Sequence, residues 1–144
     1  MPPRARPVPR DIDDIVLPDG LCRVVIPFPP AILSPNARAH HFAVARTKRK
    51  YRSDCAILAR AAGMCIPEGA ENGAPIAVRI DFFPPNRARR DDDNMIAALK
   101  SGRDGIADAM HCDDARWRTE THIHAEPRSC VVVTVMGAAR HDLS

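Results

Sequence analysis

Apolar and polar residues alternate along one short segment of the chain. Residues 76–83, IAVRIDFF, place Ile, Val, Ile and Phe on one side and Ala, Arg and Asp on the other. A period of two predicts a strand with one buried face. Three further segments are rich in β-branched residues or alternate in the same way, and they predict strands at 21–28, 116–124 and 129–137.

Two segments carry a helical period instead. Residues 42–63 predict a helix that ends at Gly63, since glycine is favoured just past a helix C-terminus. Residues 93–110 predict a second helix, capped by Asp92 or Asp93, with two opposite faces. Its polar face holds Asp93, Ala97, Lys100, Asp104 and Asp108, and its apolar face holds Met95, Leu99, Ile106 and Met110. Gly102 and Gly105 weaken this helix, and Gly102, on its apolar side, predicts either close packing or a break at that point.

The order of these elements is β-α-β-α-β-β, which predicts a single α+β domain with helices packed on a mixed or antiparallel sheet. A chain of 144 residues has room for one modest core. Residues 1–20 carry five prolines and predict a flexible N-terminal arm. We expect the domain to span residues 21–137 and a short polar tail to follow at 138–144.

Charge is unevenly distributed along the chain, although the net charge is only +3. Residues 34–60 contain seven basic residues and one acid, whereas residues 91–126 contain nine acids and four bases. One segment is therefore suited to a polyanion, while the other gathers carboxylates. A non-specific nucleic-acid binder needs only the first.

Five cysteines are widely spaced and include no CxxC pair, so we expect reduced thiols without a disulfide framework or a zinc site. His122 and His124 alone do not provide enough zinc ligands. The chain has no apolar run long enough to span a bilayer and no apolar stretch of the kind that a secretory signal contains. We expect a cytoplasmic protein that does not interact with membranes.

The stretch RRDDDN, residues 89–94, sets three mutually repelling carboxylates beside two arginines. In an extended segment, Asp91 and Asp93 point to the same side, and carboxylate oxygens are the ligands that Mg²⁺ prefers. Such an ion would lower the pKa of a bound water and stabilise charge on a phosphate. The alternative interpretation is a structural turn or helix cap, where Asp and Asn are also common.

A second acidic pair, Asp113 and Asp114, follows the second predicted helix. A straight helix of about 18 residues is roughly 27 Å long, so Asp114 would lie far from Asp93. We expect a bend near the glycines if the two acidic pairs meet.

Taken together, RRDDDN, MIAALKSGRDGIADAM, HCDD and the upstream IPFPPAILSPNARAHH resemble the RusA-type Holliday-junction resolvases, including the phage-borne branch. The resemblance covers roughly residues 22–136. It implies a homodimeric, Mg²⁺-dependent endonuclease, with Mn²⁺ as a possible substitute, that resolves four-way DNA junctions by paired nicks in recombination and repair.

The same resemblance implies the site residues. Asp91 and Asp93 match the first two metal-binding aspartates, and Asp114 matches the third, with Asp113 as the alternative. Asn94 would support the turn or the site. The family lysine lies four residues after the second aspartate, where this chain has Ala97, so its catalytic role passes to Lys100 on the same helix face.

Basic residues near these motifs are candidates for DNA-backbone contact, with an ordinary solvated surface as the alternative. They are Arg38, Arg46, Lys48, Arg49, Lys50, Arg52, Arg87, Arg89 and Arg90. Two other functions stay open. One is a non-catalytic branched-DNA-binding module, and the other is a metal-dependent nuclease or phosphohydrolase that acts on other substrates.

Overall fold

The computed structural model describes residues 12–139. Its elements are β1 (Cys22–Pro27), α1 (His41–Ala61), β2 (Ile76–Phe83), α2 (Asp92–Ala98), α3 (Lys100–Ala109), β3 (Trp117–Ile123) and β4 (Cys130–Ala138). The predicted α+β class is confirmed. Residues 1–11 of the predicted arm and 140–144 of the predicted tail lie outside the described residues. Within residues 12–139, none of the helices combines the length and apolar character needed to cross a bilayer.

The four strands form one mixed sheet in the order β1-β4-β2-β3. Strands β2 and β3 are parallel, while β4 pairs antiparallel with both β1 and β2. Parallel neighbours need a crossover connection, and α2 and α3 lie in the crossover between β2 and β3. The segments that follow β2 and β3 therefore leave the sheet at the same edge, and the segment that precedes β3 enters at the opposite edge.

One face of the sheet packs against α1 and α3 and forms the main core. Glycines allow these two helices to approach closely. A Cβ atom added at Gly102 would lie 2.6 Å from Cε2 of Tyr51, and one added at Gly105 would collide with the backbone carbonyl of Arg52. The close-packing interpretation of Gly102 is therefore confirmed, and Gly105 packs closely as well.

The second predicted helix is divided at Leu99, so the prediction of one continuous helix over 93–110 is wrong. The backbone N–H of Leu99 is shared between the carbonyls of Met95 and Ile96, each at 3.2 Å. This tightened turn separates α2 from α3. The break lies before Gly102 and Gly105, and these two glycines pack against α1.

Two large apolar side chains of α1 are mostly exposed to solvent. Phe42 is 68% exposed and Ile57 is 58% exposed. The buried face of α1 consists of Tyr51, Cys55, Ala56 and Ala59. The predicted end of this helix is confirmed, because Gly63 follows Ala62 with a positive φ of 75°.

The opposite face of the sheet carries a smaller apolar cluster around Phe83, Cys130 and Val132. Ile12, Ile15 and Leu17 pack against it. Residues 12–17, which belong to the predicted flexible arm, therefore cover part of the sheet.

Candidate metal site and nucleic-acid interface

The aspartate run forms the start of α2. Asp91 is the N-cap residue with extended backbone angles, and its carboxylate accepts a hydrogen bond from the backbone N–H of Asp93 at 2.9 Å. Asp92 and Asp93 occupy the first helical turn, where the helix dipole favours negative charge. The structural-cap interpretation of this run is therefore correct for Asp91, and it leaves open a second role for the other oxygens.

Those other oxygens face solvent. Asp91 and Asp93 are exposed and line an open cavity with Arg89, Arg90 and Asp92, hereafter the aspartate cavity. In the part of the chain that the structure describes, the carboxylates of Asp92 and Asp93 have no hydrogen bond or ion pair. Magnesium is commonly held by one or two carboxylates and completes its shell with water and substrate phosphates. Asp91 and Asp93 fit such a site.

A larger metal cluster is not formed. Within residues 12–139, no group of three or more His, Cys, Asp or Glu side chains is arranged to hold an ion. An ion held by the aspartate pair would need its remaining ligands from water and phosphate. Bound there, the ion would polarise a phosphate oxygen and favour hydroxide formation from water.

Both members of the second acidic pair have hydrogen-bonding partners within the protein, and only Asp114 is buried. Asp113 caps a single 3₁₀ turn, Asp114–Arg116, and accepts a hydrogen bond from the backbone N–H of Ala115 at 2.9 Å. Asp114 is buried, and its Oδ2 atom lies 2.7 Å from Nζ of Lys100 and 3.5 Å from Nε of Arg103. Lys100 also donates to Asp104 at 2.9 Å.

Burial works to raise the pKa of Asp114, but the hydrogen bond from Lys100 and the charges of Lys100 and Arg103 outweigh it and lower the pKa. The hydrogen bond to Asp114 in turn raises the pKa of Lys100. The two groups are therefore a charged pair, and the carboxylate of Asp114 already has its neutralising cation.

The structure does not bring the two acidic pairs into one cluster. Asp91 and Asp93 line the aspartate cavity, whereas Asp113 and Asp114 line a different one with Lys100 and Asp104, hereafter the lysine cavity. The topology explains the separation, since Asp91 follows β2 and Asp114 precedes β3 at the opposite sheet edge. The assignment of Asp114 or Asp113 as a third metal ligand stays a prediction.

A chain of adjoining cavities nevertheless connects the two pairs. A cavity of about 390 Å³ is lined by Asp91 and Asn94 and also by Ser34 and Asn36. It shares Ser34 and Ala98 with a further cavity that reaches Lys48 and Lys100, and Lys100 also borders the lysine cavity. The SPN loop, residues 34–36, and the aspartate run, far apart in sequence, therefore line the same groove.

Three of the nine basic candidates are held by the protein itself. Arg52 forms a two-point ion pair with Asp108 at 2.7 and 2.9 Å. Lys50 lies 2.9 Å from Asp54. Arg90 donates to the carbonyls of Asn86 and Ala88, and its guanidinium lies over the ring of Phe28.

The other six candidates are exposed, and within residues 12–139 none of them has a hydrogen-bonding or ionic partner. They are Arg38, Arg46, Lys48, Arg49, Arg87 and Arg89. Because their charges are not neutralised internally, they suit contact with a phosphate backbone better than the three held residues do.

Sequence reasoning missed two features. Asp81, assigned to the polar face of a half-buried strand, is fully buried and hydrogen-bonded to His124. Phe42 stands exposed in a stack with His40 and His41, whose ring centroids lie 4.5 Å apart. A carboxylate two residues after an arginine, in an otherwise apolar strand, was the signal for the first. No signal in the sequence indicated the second.

The chain shares extensive sequence similarity with a bacterial protein. It is 38% identical over 120 residues to an "Uncharacterized protein" of Xylella fastidiosa (strain Temecula1 / ATCC 700964), a match that covers 79% of this chain and 75% of the relative. No family model matches the chain.

Proposed function

The chain belongs to the same family as the Xylella fastidiosa protein, and we propose that it is a Mg²⁺-dependent endonuclease that cuts branched DNA as the RusA-type Holliday-junction resolvases do. The name of the relative carries no activity, so the proposal depends on the site. The observation that carries it is the row of adjoining cavities in which Asp91 lines the same groove as the SPN loop, Asp93 lines the neighbouring aspartate cavity, and Lys100 lines the next cavity along.

Different residues have different roles in the proposed reaction. Asp91 and Asp93 would hold Mg²⁺, which supplies charge stabilisation at the scissile phosphate. Arg87 and Arg89, which precede the aspartates, would hold the DNA backbone together with the three basic residues of α1 whose charges are not neutralised internally, Arg46, Lys48 and Arg49. Lys100 would contact a phosphate on the strand that follows the groove.

We propose a homodimer, since a four-way junction offers two equivalent strands and a two-fold assembly presents one site to each. The proposed location is the cytoplasm. The five free cysteines of the structure fit a reducing compartment.

A non-catalytic branched-DNA-binding module is the second candidate. The capping hydrogen bonds of Asp91 and Asp113 favour it, because they give both residues a structural role without metal. Such a module would bind a junction through the exposed arginines and leave it uncut.

Cleavage of a labelled four-way junction and of the matching linear duplex, in Mg²⁺ or in EDTA, separates the candidates. We expect paired nicks in the junction only, lost in EDTA. Asp93→Asn should slow cleavage about 100-fold, as loss of a group that stabilises the transition state does. Asp92→Asn removes the same charge from the same helical turn, and we expect its effect to be at least about tenfold smaller, since side chains at neighbouring positions diverge.

Junction binding without cleavage in Mg²⁺ or Mn²⁺ would contradict the endonuclease and favour the binding module. Equal cleavage of the junction and the linear duplex would indicate a nuclease without selectivity for branches. Cleavage of small phosphate esters alone would indicate a phosphohydrolase.

A further inference from the structure

A fully buried carboxylate lies on the face of the sheet that is turned away from α1 and α3. Asp81 of β2 has no solvent-exposed surface. The guanidinium of Arg79 donates to both of its oxygens at 3.0–3.2 Å, and Nε2 of His124 lies 2.8 Å from Oδ1. Because a buried charge is costly unless it is paired, Asp81 holds both of these side chains in place.

His124 is fixed by more than this hydrogen bond. Its ring stacks on Phe83 with centroids 4.2 Å apart and planes inclined by 10°, and its backbone N–H donates to the carbonyl of Phe82 at 2.9 Å. Since Nε2 faces Asp81, the other ring nitrogen, Nδ1, is the one left to act. Within residues 12–139 it has no hydrogen-bonding partner. In the neutral ring with its proton on Nε2, Nδ1 is a proton acceptor.

The side chain of His124 is 27% exposed and lines a cavity of about 360 Å³. The parallel arrangement explains its position, because His124 follows β3 at the edge where the aspartate run follows β2. The cavity shares Arg90 and Asp92 with the aspartate cavity, so the two adjoin. The charged groups around the ring are Arg79 and Asp81 of β2, Arg87 and Arg90 of the following loop, and Asp92 of α2.

We propose, on the basis of the proposed endonuclease function, that His124 is a further catalytic residue and that Asp81 is its positioning residue. The lone pair of Nδ1 takes one proton from the attacking water as the water oxygen bonds to phosphorus. The bond from phosphorus to the leaving ester oxygen breaks, and this oxygen keeps the electron pair and takes a proton from solvent. Asp81 keeps the ring in the required orientation and tautomer and stabilises the imidazolium that forms.

A purely structural role for His124 is the competing interpretation. Arg79 already contacts both oxygens of Asp81, so the carboxylate is paired without the imidazole. The imidazole, by contrast, is held on one edge and one face and borders an open cavity. This combination is what a positioned general base requires.

The test compares His124→Gln with His122→Gln in the junction-cleavage assay. His122 lies two residues earlier, on β3, and contacts Glu120 at 2.7 Å, and it does not line the cavity, which makes it a matched control. We expect His124→Gln to cut about 100-fold more slowly than wild type, within the range for loss of a general base. Junction binding in EDTA should stay unchanged, and His122→Gln should cut at the wild-type rate.

Two further readouts separate catalysis from structure. A general base acts in its deprotonated form, so the wild-type rate should fall towards acid pH, and His124→Gln should lose this dependence. Added imidazole should restore part of the rate of His124→Gly and none of the rate of Asp93→Asn.

If the wild-type protein cuts the junction and His124→Gln cuts it at the same rate, this inference is overturned while the proposed function stands. Loss of junction binding or of the folded circular-dichroism spectrum in His124→Gln, without imidazole rescue of His124→Gly, would assign a structural role and overturn it as well. If the wild-type protein cut no substrate, the proposed function would fail first, and the inference would fail with it.

Discussion

The two acidic pairs of this protein are similar in sequence, and the clearest difference between them is the environment of Asp114. Asp91 and Asp93 stand at the exposed start of α2, and the carboxylate of Asp93 has no partner within residues 12–139. Asp114 is buried beside Lys100 and Arg103. A carboxylate left unpaired at the surface is available to an external cation, whereas one neutralised internally contributes to folding. Similar aspartate runs in one chain are therefore open to an external cation in one place and neutralised by the protein's own cations in another.

The largest expected difference between the two pairs is in stability. Asp114→Asn should lower the free energy of unfolding by about 1–2 kcal/mol, because it leaves Lys100 and Arg103 without their shared carboxylate. Asp93→Asn should lower it by less than about 1 kcal/mol, the usual contribution of a charge near a helix N-terminus. Urea unfolding of both variants measures the difference. Equal losses would contradict the comparison.

Magnesium should stabilise the protein through the exposed pair only. At ten times its dissociation constant, a ligand that binds the folded state adds about 1.4 kcal/mol. We expect wild type and Asp114→Asn to gain this increment in thermal or urea unfolding, and Asp93→Asn to lose it. An increment lost in Asp114→Asn instead would show that the third aspartate, too, holds the metal. Sodium chloride at the same ionic strength controls for general salt effects.

Two variants of Asp91 separate the contribution of its helix-capping hydrogen bond from that of its negative charge. Asp91→Ala removes the hydrogen bond to the backbone N–H of Asp93 and should cost about 1 kcal/mol. Asp91→Asn keeps a capping oxygen and should retain most of the stability while it loses Mg²⁺-dependent stabilisation. A wild-type response of Asp91→Asn to Mg²⁺ would leave Asp91 as a cap alone.

The smallest expected effect is on the pH dependence of stability. The pKa of Asp114 is lowered in the folded protein, so its stabilising contribution is present above the unfolded value, about 3.9, and is lost as the pH falls through the folded value. Between pH 5 and pH 3, wild type should therefore lose more stability than Asp114→Asn does. Parallel curves for wild type and Asp114→Asn would contradict the assigned ion pair.

Local patterns predicted the elements well and their ends less well. The alternation of residues 76–83 predicted β2, and Gly63 marked the end of α1 because its positive φ suits glycine. The break at Leu99 was not predicted, because the apolar residues before and after it, Met95 and Ile106, fit one uninterrupted helical period. Glycine weakens an isolated helix, but Gly105 lies where α3 contacts the backbone of α1.

The candidate site was predictable as a set of residue types and not as an arrangement. The aspartate run was recognisable because clustered carboxylates beside arginines are unusual without a partner. The contact of Lys100 with Asp114 and that of Asp81 with His124 join residues 14 and 43 positions apart. No local period specifies such contacts.

The amino-acid sequence by itself determined the α+β class, the secondary-structure types and the chemical character of the aspartate run, because these follow from periodicity and side-chain chemistry within a few residues. Only the tertiary structure decided which carboxylates face solvent and which are neutralised. The parallel pairing of β2 with β3 sends Asp91 and His124 to one sheet edge and Asp114 to the other. The packing of α3 on α1 and the return of the chain into β3 then bring Lys100 to Asp114. Such outcomes depend on which distant surfaces bury one another, and that is a property of the whole fold.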